Sequence, residues 1–396
     1  MIIDMDSHFE PSVDWLDSFP RLKEVLPEKY PESDPRFALN EQEMFAWFVS
    51  DDLLRHVPPD QRIAMRDLVT EPMGMMFDID KSEAAGVGYE GATMYPQMTD
   101  IASRVNWLDR QGIAKQTAIT GMGYTLARAI EDPKLGMETL EAVNTWMAEN
   151  SADYRDRILP VTTLRYEDPD WAVREMGRMR ELGSRAFMIN AEPVNGIPPT
   201  DPSYDRVWSA AVDLGMVGII HVGLSPSTFH PGWARSKDPA VVRLLSILNP
   251  HQAAEVWLTA MIFEGVFERH PKLTIQLSEQ GTDWLPRLAA KLDGFASPQM
   301  SPMIIGQYKH SMLPSEFIRR NIRISPLPTM AQPPADLVTQ LPDSAVFASD
   351  YPHFEGSGDP TSHYTKELAE IPEAAKEGFY SGNILRSYEQ MGDPLL

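Results

Sequence analysis

The sequence contains no cysteine. Disulfide bonds and thiolate metal sites are therefore excluded, so a bound metal ion must be held by histidine, carboxylate or backbone oxygen ligands. The absence of cysteine is also typical of proteins from reducing compartments.

Long apolar runs are missing as well. The longest candidate, "LGMVGIIHVGL" at 214–224, is much shorter than the roughly 20 apolar residues that span a bilayer. The opening residues, "MIIDMDSHFEP", carry Asp4 and Asp6 where a signal peptide would be apolar. These features predict a cytoplasmic protein without a membrane partner.

Positive charge is scarce. Lys and Arg number 35 against 57 Asp and Glu, which gives a formal net charge of −22. Nucleic acids and anionic membranes would repel such a surface, because binding phosphate requires Lys and Arg. Hydrophobic residues make up 43% of the chain, enough for a full core. A small-molecule substrate is therefore the expected partner.

Short apolar runs alternate with amphipathic helical stretches along the chain. Runs that are apolar throughout are typical of parallel strands covered on both faces. Eight such strands separated by helices predict an α/β fold, the (β/α)8 TIM barrel. The predicted strands lie at 1–8, 115–120, 157–164, 185–190, 216–223, 273–279, 321–325 and 345–350.

The chain is longer than a barrel needs. A TIM barrel takes roughly 250 residues, so about a third of this chain is predicted to be insertion. We expect one domain over 1–396, with a long insertion after strand one at 11–114. A second, helical insertion after strand five covers 224–270 and includes a long helix at 253–270. Both are expected to form a lid or oligomer contacts.

Ionisable residues stand at the carboxyl ends of several predicted strands. Asp6 and His8 end strand one, two residues apart and therefore on one face of a strand. His221, Glu279 and Asp350 end strands five, six and eight. Reactive groups of TIM barrels gather at this edge, so these side chains are predicted to share a pocket. Imidazoles and carboxylates without a thiol suit zinc or manganese.

Each of these residues also has an ordinary structural interpretation. Asp350 can begin a turn, His221 can be a hydrogen-bonded core residue, and Glu279 can lie beside a helix start. The shared location favours the metal-site hypothesis, because burying several polar groups together without partners is costly.

Four segments, "IDMDSHFEP", "GMVGIIHVG", "HPKLTIQLSEQGTDWLPRLAAKLD" and "FASDYPHFEG", resemble the amidohydrolase-related metal enzymes that include aminocarboxymuconate semialdehyde decarboxylase and resorcylate-type decarboxylases. "GATMYPQ" and "SGNILRSY" add to the resemblance. It implies a barrel with one divalent metal ion, Zn or Mn, on strands one, five and eight, and a homo-oligomer. Carried over to this sequence, the metal ligands are Asp6, His8, His221 and Asp350.

The sequence departs from that family in two places. Many relatives have His-x-His on strand one, where Asp6 takes the first position here. Many also place a catalytic histidine at the end of strand six, where this chain has Glu279. Strand four ends at Asn190 without a lysine, which argues against a carbamylated lysine bridging two metals.

Two reactions use the same predicted constellation. In the favoured hydrolase interpretation, metal-activated water attacks a C–N, C–O or C–C bond, with Asp350 and Glu279 as catalytic acid–base groups. The alternative is a non-oxidative decarboxylase of an aromatic or unsaturated carboxylic acid, and a second alternative is a catalytically inactive binding barrel. Replacement of the family histidine by Glu279 favours hydrolysis.

Three further residues are predicted to contact the substrate. Tyr95 and Arg165 lie on predicted pocket loops, and the fork of Arg165 suits a substrate carboxylate. His353 follows Asp350 by three residues and is predicted to orient that aspartate or to line the pocket.

Overall fold

The computed structural model describes residues 1–11, 15–29, 100–121, 123, 130–222, 232, 238, 241, 244, 251–327, 333–353 and 356–396. Most of the predicted insertion at 11–114, with Tyr95, lies outside the described residues.

Parallel strands form one continuous sheet in this part of the chain. The order in space is the order in sequence, β1 to β7, and every neighbouring pair is parallel. Most strand residues are fully buried, as expected for strands covered on both faces. The strands are β1 Ile2–Asp4, β2 Ile113–Ala118, β3 Ile158–Thr162, β4 Ala186–Met188, β5 Val217–His221, β6 Ile275–Ser278 and β7 Ile322–Ile324.

The segment 344–351 closes the sheet but is not the regular strand that the sequence predicts. The Ile324 amide donates to the Ser344 carbonyl at 2.9 Å, and the Met5 amide donates to the Phe347 carbonyl at 3.1 Å. The Phe347 amide, however, turns away to the Phe379 carbonyl, and the Ser349 amide donates to the Asp4 carboxylate. Because neither of these two amides bonds the backbone of a neighbouring strand, the ladder of hydrogen bonds is interrupted and residues 345–350 do not form the regular strand that was predicted. The predicted barrel fold is confirmed.

Helices follow the strands around the outside of the barrel. Two of them begin with an aspartate cap followed by proline: Asp132 accepts from the amides of Lys134 and Leu135, and Asp168 caps Pro169 onward in the same way. The helices are α1 Pro20–Lys29, α2 Ile101–Gln111, α3 Pro133–Asn150, α4 Pro169–Glu181, α5 Asp205–Asp213, α6 Gln252–Phe263, α7 Val266–Arg269, α8 Trp284–Ala296, α9 Ser301–Ile304, α10 Pro314–Asn321, α11 Pro334–Gln340, α12 Pro360–Glu367, α13 Glu373–Glu377 and α14 Asn383–Met391.

Alternate strand residues enter two separate cores. Ile220 packs in the large core that the strands share with the surrounding helices, whereas Val217 and Ile219 enter a smaller core at the centre of the barrel. Tyr388 of α14 joins this inner core, and its hydroxyl donates to the carbonyl of Arg185, just before β4. Helix α14 therefore covers the end of the barrel where the strands begin and leaves the opposite end for a pocket.

The described parts of both predicted insertions include barrel helices. Helix α2 buries Trp107 and Leu108, and α6 buries Trp257 in the large core. The long helix predicted at 253–270 is wrong as one element, because Gly265 at φ 76° separates α6 from α7. The lid and oligomer roles stay predictions.

Within the described ranges, no helix combines the length and apolar character needed to cross a bilayer.

Phe347 tests the packing of the closing segment. It is fully buried and its ring contacts those of Tyr364 and Phe379 at centroid distances of 5.1 and 6.0 Å. Phe347→Ala is expected to lower the free energy of unfolding in urea by about 3–5 kcal/mol, because it leaves a cavity. Val256→Ala, at a position 67% exposed, is the control and should change it by less than about 0.5 kcal/mol. Equal effects of the two changes would contradict this packing.

Candidate metal centre

Six ionisable side chains meet at the end of the barrel opposite α14. Three are carboxylates and three are imidazoles, and none is more than 6% exposed. They form two overlapping groups whose ligand atoms lie within 4.8 Å of one another. We call them the metal cluster: Asp6, His8, His221, Glu279, Asp350 and His353.

Asp6 and His8 reach the cluster from a segment beyond strand β1. Strand β1 ends at Asp4, and isolated parallel bridges pair Ser7 with Tyr351 and His8 with Ile119 beyond it. Backbone hydrogen bonds to the closing segment fix this stretch. The Asp350 amide donates to the Asp6 carbonyl at 2.9 Å, and the His8 amide donates to the Tyr351 carbonyl at 2.8 Å. The barrel closure thus brings the ligands of strands one and eight together.

His221 ends β5 on the same face as Val217 and Ile219, so its ring points into the barrel. Its Nδ1 lies 2.8 Å from the Val222 carbonyl, which can only accept, so Nδ1 carries the hydrogen. Nε2 therefore faces the cluster, 3.2 Å from Glu279 Oε1 and 3.6 Å from Asp6 Oδ1. A fixed ring with Nε2 turned inward suits a metal ligand.

Glu279 and Asp350 adopt strained backbone conformations. Both have φ of 53°, a left-handed value that residues with a side chain rarely adopt. Asn195 is the other such non-glycine among the described residues. After Asp350 the chain folds back so tightly that a Cβ at Gly356 would lie 2.4 Å from the Ser349 carbonyl oxygen. Strain of this kind concentrates at functional sites.

The Glu279 carboxylate lies at the centre of the cluster. Its Oε1 is 3.3 Å from His8 Nε2, 3.2 Å from His221 Nε2 and 3.3 Å from His353 Nδ1. His353 Nδ1 is also 3.3 Å from Asp350 Oδ1, and its ring stacks on His8 with centroids 3.6 Å apart. His353 thus contacts both predicted acid–base residues.

Burial and mutual contact shift the ionisation of these groups in opposite directions. Burial raises the pKa of Asp6, and burial together with His353 lowers the pKa of His8 well below its usual value. Burial disfavours the imidazolium of His221, but Glu279 and Asp6 outweigh it and raise the pKa of His221. Burial likewise opposes ionisation of Glu279, yet His221 and its other partners lower that pKa well below normal. The cluster therefore retains anionic oxygen.

The arrangement fits one divalent metal ion. Neither oxygen of Asp6, nor Nδ1 of His8, has a hydrogen-bonding partner among the described residues. Metal–ligand bonds of about 2.0–2.2 Å place neighbouring ligand atoms of one ion about 3–3.6 Å apart. Two spacings between proposed ligand atoms lie in that range: 3.6 Å between His221 Nε2 and Asp6 Oδ1, and 3.4 Å between His8 Nε2 and Asp350 Oδ1. Imidazole and carboxylate donors suit zinc or manganese.

The three residues predicted to contact the substrate differ in where the structure places them. His353 lies in the metal cluster, whereas Tyr95 lies outside the described residues. Arg165 Nε donates to Glu167 Oε1 at 3.1 Å and its Nη1 donates to the Ile130 carbonyl at 2.6 Å. Its described contacts are therefore with Glu167 and the backbone.

Sequence analysis assigned no role to Asp4, although it is fully buried next to the cluster. Burial raises its pKa to about 6, and the hydrogen bonds from Ser349 and Gln116 oppose that rise. The signal in the sequence is weak, because an aspartate two residues before Asp6 is also a common strand-end residue.

A sequence profile described as Amidohydrolase matches residues 3–390. The chain belongs to the amidohydrolase family. This confirms the resemblance inferred from the sequence motifs.

Similar proteins within this family include decarboxylases. Gamma-resorcylate decarboxylase of Rhizobium radiobacter is 26% identical over 208 residues, a match that covers 48% of this chain and 58% of that protein. The chain thus matches little more than half the length of this curated relative.

Solved structures share the barrel. A crystal structure of an amidohydrolase from Mycobacterium avium subsp. paratuberculosis K-10 is 26% identical, with a TM-score of 0.64 over 74% of this chain and 75% of that one. The 5-carboxyvanillate decarboxylase of Novosphingobium aromaticivorans, solved with bound manganese and 3-methoxy-4-hydroxy-5-nitrobenzoic acid, is 17% identical. Its TM-score is 0.64, over 98% of this chain and 97% of that one. At this identity the second likeness supports the fold alone.

Replacement of His221 tests the metal centre. His221→Ala is expected to reduce bound manganese from about one equivalent to below about a tenth, because a buried imidazole ligand is lost while β5 keeps its core residues. Metal content is measured by elemental analysis, and folding by circular dichroism. His310→Ala is the control: His310 contacts the Phe263 carbonyl at 2.9 Å, outside the cluster. Unchanged metal content in His221→Ala would remove this residue from the ligand set.

Proposed function

We propose that this chain is a metal-dependent, non-oxidative decarboxylase of a small aromatic carboxylic acid. The observation that carries the proposal is the buried metal cluster of three carboxylates and three imidazoles. The gamma-resorcylate decarboxylase relative supports the choice of reaction. Glu279 in place of the family histidine favoured hydrolysis when only the sequence was considered; the relatives support the decarboxylase alternative instead.

Asp6, His8, His221 and Asp350 would hold one divalent ion, and we propose manganese before zinc. Oxygen ligands favour manganese, and two of the four proposed ligands, Asp6 and Asp350, are carboxylates. The decarboxylase from Novosphingobium aromaticivorans contains manganese, which agrees with this choice. When bound, such an ion supplies a Lewis acid that holds and polarises an oxygen of the substrate.

The protein's own part in this reaction is to deliver a proton. Decarboxylation breaks the bond between a ring carbon and the carboxylate, and carbon dioxide leaves while the bonding electrons stay on the ring. The ring carbon takes up one proton, which Asp350 or Glu279 would take from solvent and deliver to it. His353 contacts an oxygen of each, at 3.3 Å, and thereby fixes both carboxyl groups relative to one another.

Substrate contacts follow from the same geometry. His353 is 6% exposed and we propose that it lines the substrate pocket. Arg165 stays a prediction for binding a substrate carboxylate, because Glu167 neutralises its guanidinium in this structure. A carboxylate that bound Arg165 would have to displace Glu167. Tyr95 and a homo-oligomeric state also stay predictions.

A substrate screen tests the reaction class. Manganese-loaded protein is incubated separately with hydroxylated and methoxylated benzoates, unsaturated acids, amides and lactones, and carbon dioxide is measured apart from substrate loss. We expect carbon dioxide in equal amount to the aromatic acid consumed, and none after metal removal. Hydrolysis of an amide or lactone without carbon dioxide would support the hydrolase interpretation. Metal uptake without turnover of any compound would favour a binding barrel.

A change at Glu279 separates catalysis from metal binding. Glu279→Gln is expected to keep about one equivalent of manganese yet lose about 10²–10⁴-fold in turnover, because the amide cannot transfer the proton. Glu175→Gln is the matched control, since Glu175 is 3% exposed and pairs with Asn144 and Arg178 on the outer helices. Loss of manganese from Glu279→Gln would make Glu279 a metal ligand instead.

A further inference from the structure

A second set of buried polar side chains lies beside the metal cluster without belonging to it. Arg104 of α2 and Asp4 of β1 are both fully buried, and Gln116 of β2 joins them. Arg104 Nη1 donates to Gln116 Oε1 at 3.0 Å, and Gln116 Nε2 donates to Asp4 Oδ2 at 2.7 Å. One amide thus links a buried cation to a buried anion.

Each end of this series of hydrogen-bonded side chains contacts the backbone that carries proposed metal ligands. At one end, Arg104 donates from Nη1 to Ser7 Oγ at 3.3 Å and from Nη2 to the His8 carbonyl. The Ser7 hydroxyl lies between Asp6 and His8 in sequence, so Arg104 holds the segment that bears both.

At the other end, Asp4 holds the segment before Asp350. Asp4 Oδ1 accepts from the Ser349 amide at 2.9 Å, and Oδ2 accepts from the Ser349 hydroxyl at 2.6 Å. The Ser349 hydroxyl in turn accepts from the Tyr351 amide at 3.1 Å. Asp350 therefore lies between two residues that the same hydroxyl fixes. We call Arg104, Gln116, Asp4 and Ser349 the positioning chain.

Stability alone does not account for such a chain. Burying an arginine and an aspartate requires desolvating both, and well-packed apolar residues often serve stability equally well or better. What polar groups add is a defined geometry, since each donor and acceptor must meet its partner. Here that geometry fixes two separate segments of the chain, 6–8 and 349–351, relative to each other.

We propose that the positioning chain sets the metal affinity of the cluster by holding the backbone of Asp6, His8 and Asp350 from outside. None of its four side chains is a proposed ligand. The inference rests on the proposed metal site. Groups that orient metal ligands without touching the ion typically contribute about 10–100-fold to metal affinity.

The test measures manganese affinity by competition with a chelator, together with the melting temperature of the metal-free protein. Ser349→Ala removes the hydroxyl with its hydrogen bonds to Asp4 and from the Tyr351 amide, and Gln116→Leu breaks the link between Arg104 and Asp4. Each is expected to weaken manganese binding about 10-fold or more while all proposed ligands stay in place. The manganese affinity of the double variant should fall by less than the product of the two single fold-losses, because both changes interrupt the same positioning chain.

Thr162→Val is the matched control. Thr162 is fully buried on β3, and its hydroxyl forms a hydrogen bond of 2.8 Å with Ser184 Oγ. The Thr162→Val variant loses a buried hydrogen bond that involves no proposed ligand. Its melting temperature should fall, while its manganese affinity stays within about twofold of wild type.

Two results would overturn the inference. Manganese affinities of Ser349→Ala and Gln116→Leu within about twofold of wild type, with melting temperatures lowered as in Thr162→Val, would reduce the chain to a structural role. If Gln116→Leu does not fold, Ser349→Ala decides alone, since it removes a single oxygen. If the wild-type protein takes up no manganese, both the proposed metal site and this inference are wrong. If the wild-type protein binds manganese and the variants bind it equally well, only the inference about the positioning chain is wrong.

Discussion

Repulsion among buried carboxylates is the constraint on which the rest of this structure depends. Asp6, Glu279 and Asp350 meet where at most 4% of any of their side chains is exposed, so water screens their charges poorly. His221 presents Nε2 to the cluster as a proposed metal ligand, so it does not neutralise these carboxylates as an imidazolium. A divalent cation relieves the repulsion and uses the same lone pairs. The metal is therefore the simplest explanation of why these groups are buried together.

Barrel closure and metal binding are aspects of one arrangement. Two of the backbone bonds that join the closing segment to the start of the chain are made at Asp6, His8 and Asp350, which are proposed as ligands. The closing segment is irregular as a result: the Ser349 amide bonds the Asp4 carboxylate and not the backbone of a neighbouring strand, and Asp350 adopts a left-handed backbone conformation. A regular eighth strand would point alternate side chains in and out and would not aim Asp350 as observed. The closing segment thus departs from regular strand geometry at the point where Asp350 is directed into the metal cluster.

Much of the site could be predicted from sequence because barrel topology places strand ends at a common edge. His221 is the clearest example, since an apolar strand carries it directly to the pocket. Asp6 and His8 lie just beyond β1, where isolated parallel bridges at Ser7 and His8 continue its pairing. Glu279 could be located and given an acid–base role, but its contacts with three histidines could not be predicted, since they depend on side-chain positions that spacing does not encode. Arg104 gave no signal, because it lies within the predicted insertion, on a helix whose packing against β2 the sequence does not encode.

The central claim is that Asp6, His8, His221 and Asp350 surround one cation at the mouth of the barrel. Anomalous diffraction at the manganese absorption edge, from crystals grown with manganese, tests it most directly. The account predicts one strong anomalous peak within coordination distance of all four side chains, about 2.0–2.3 Å. A peak elsewhere on the molecule, with the four side chains contacting only one another, would contradict it.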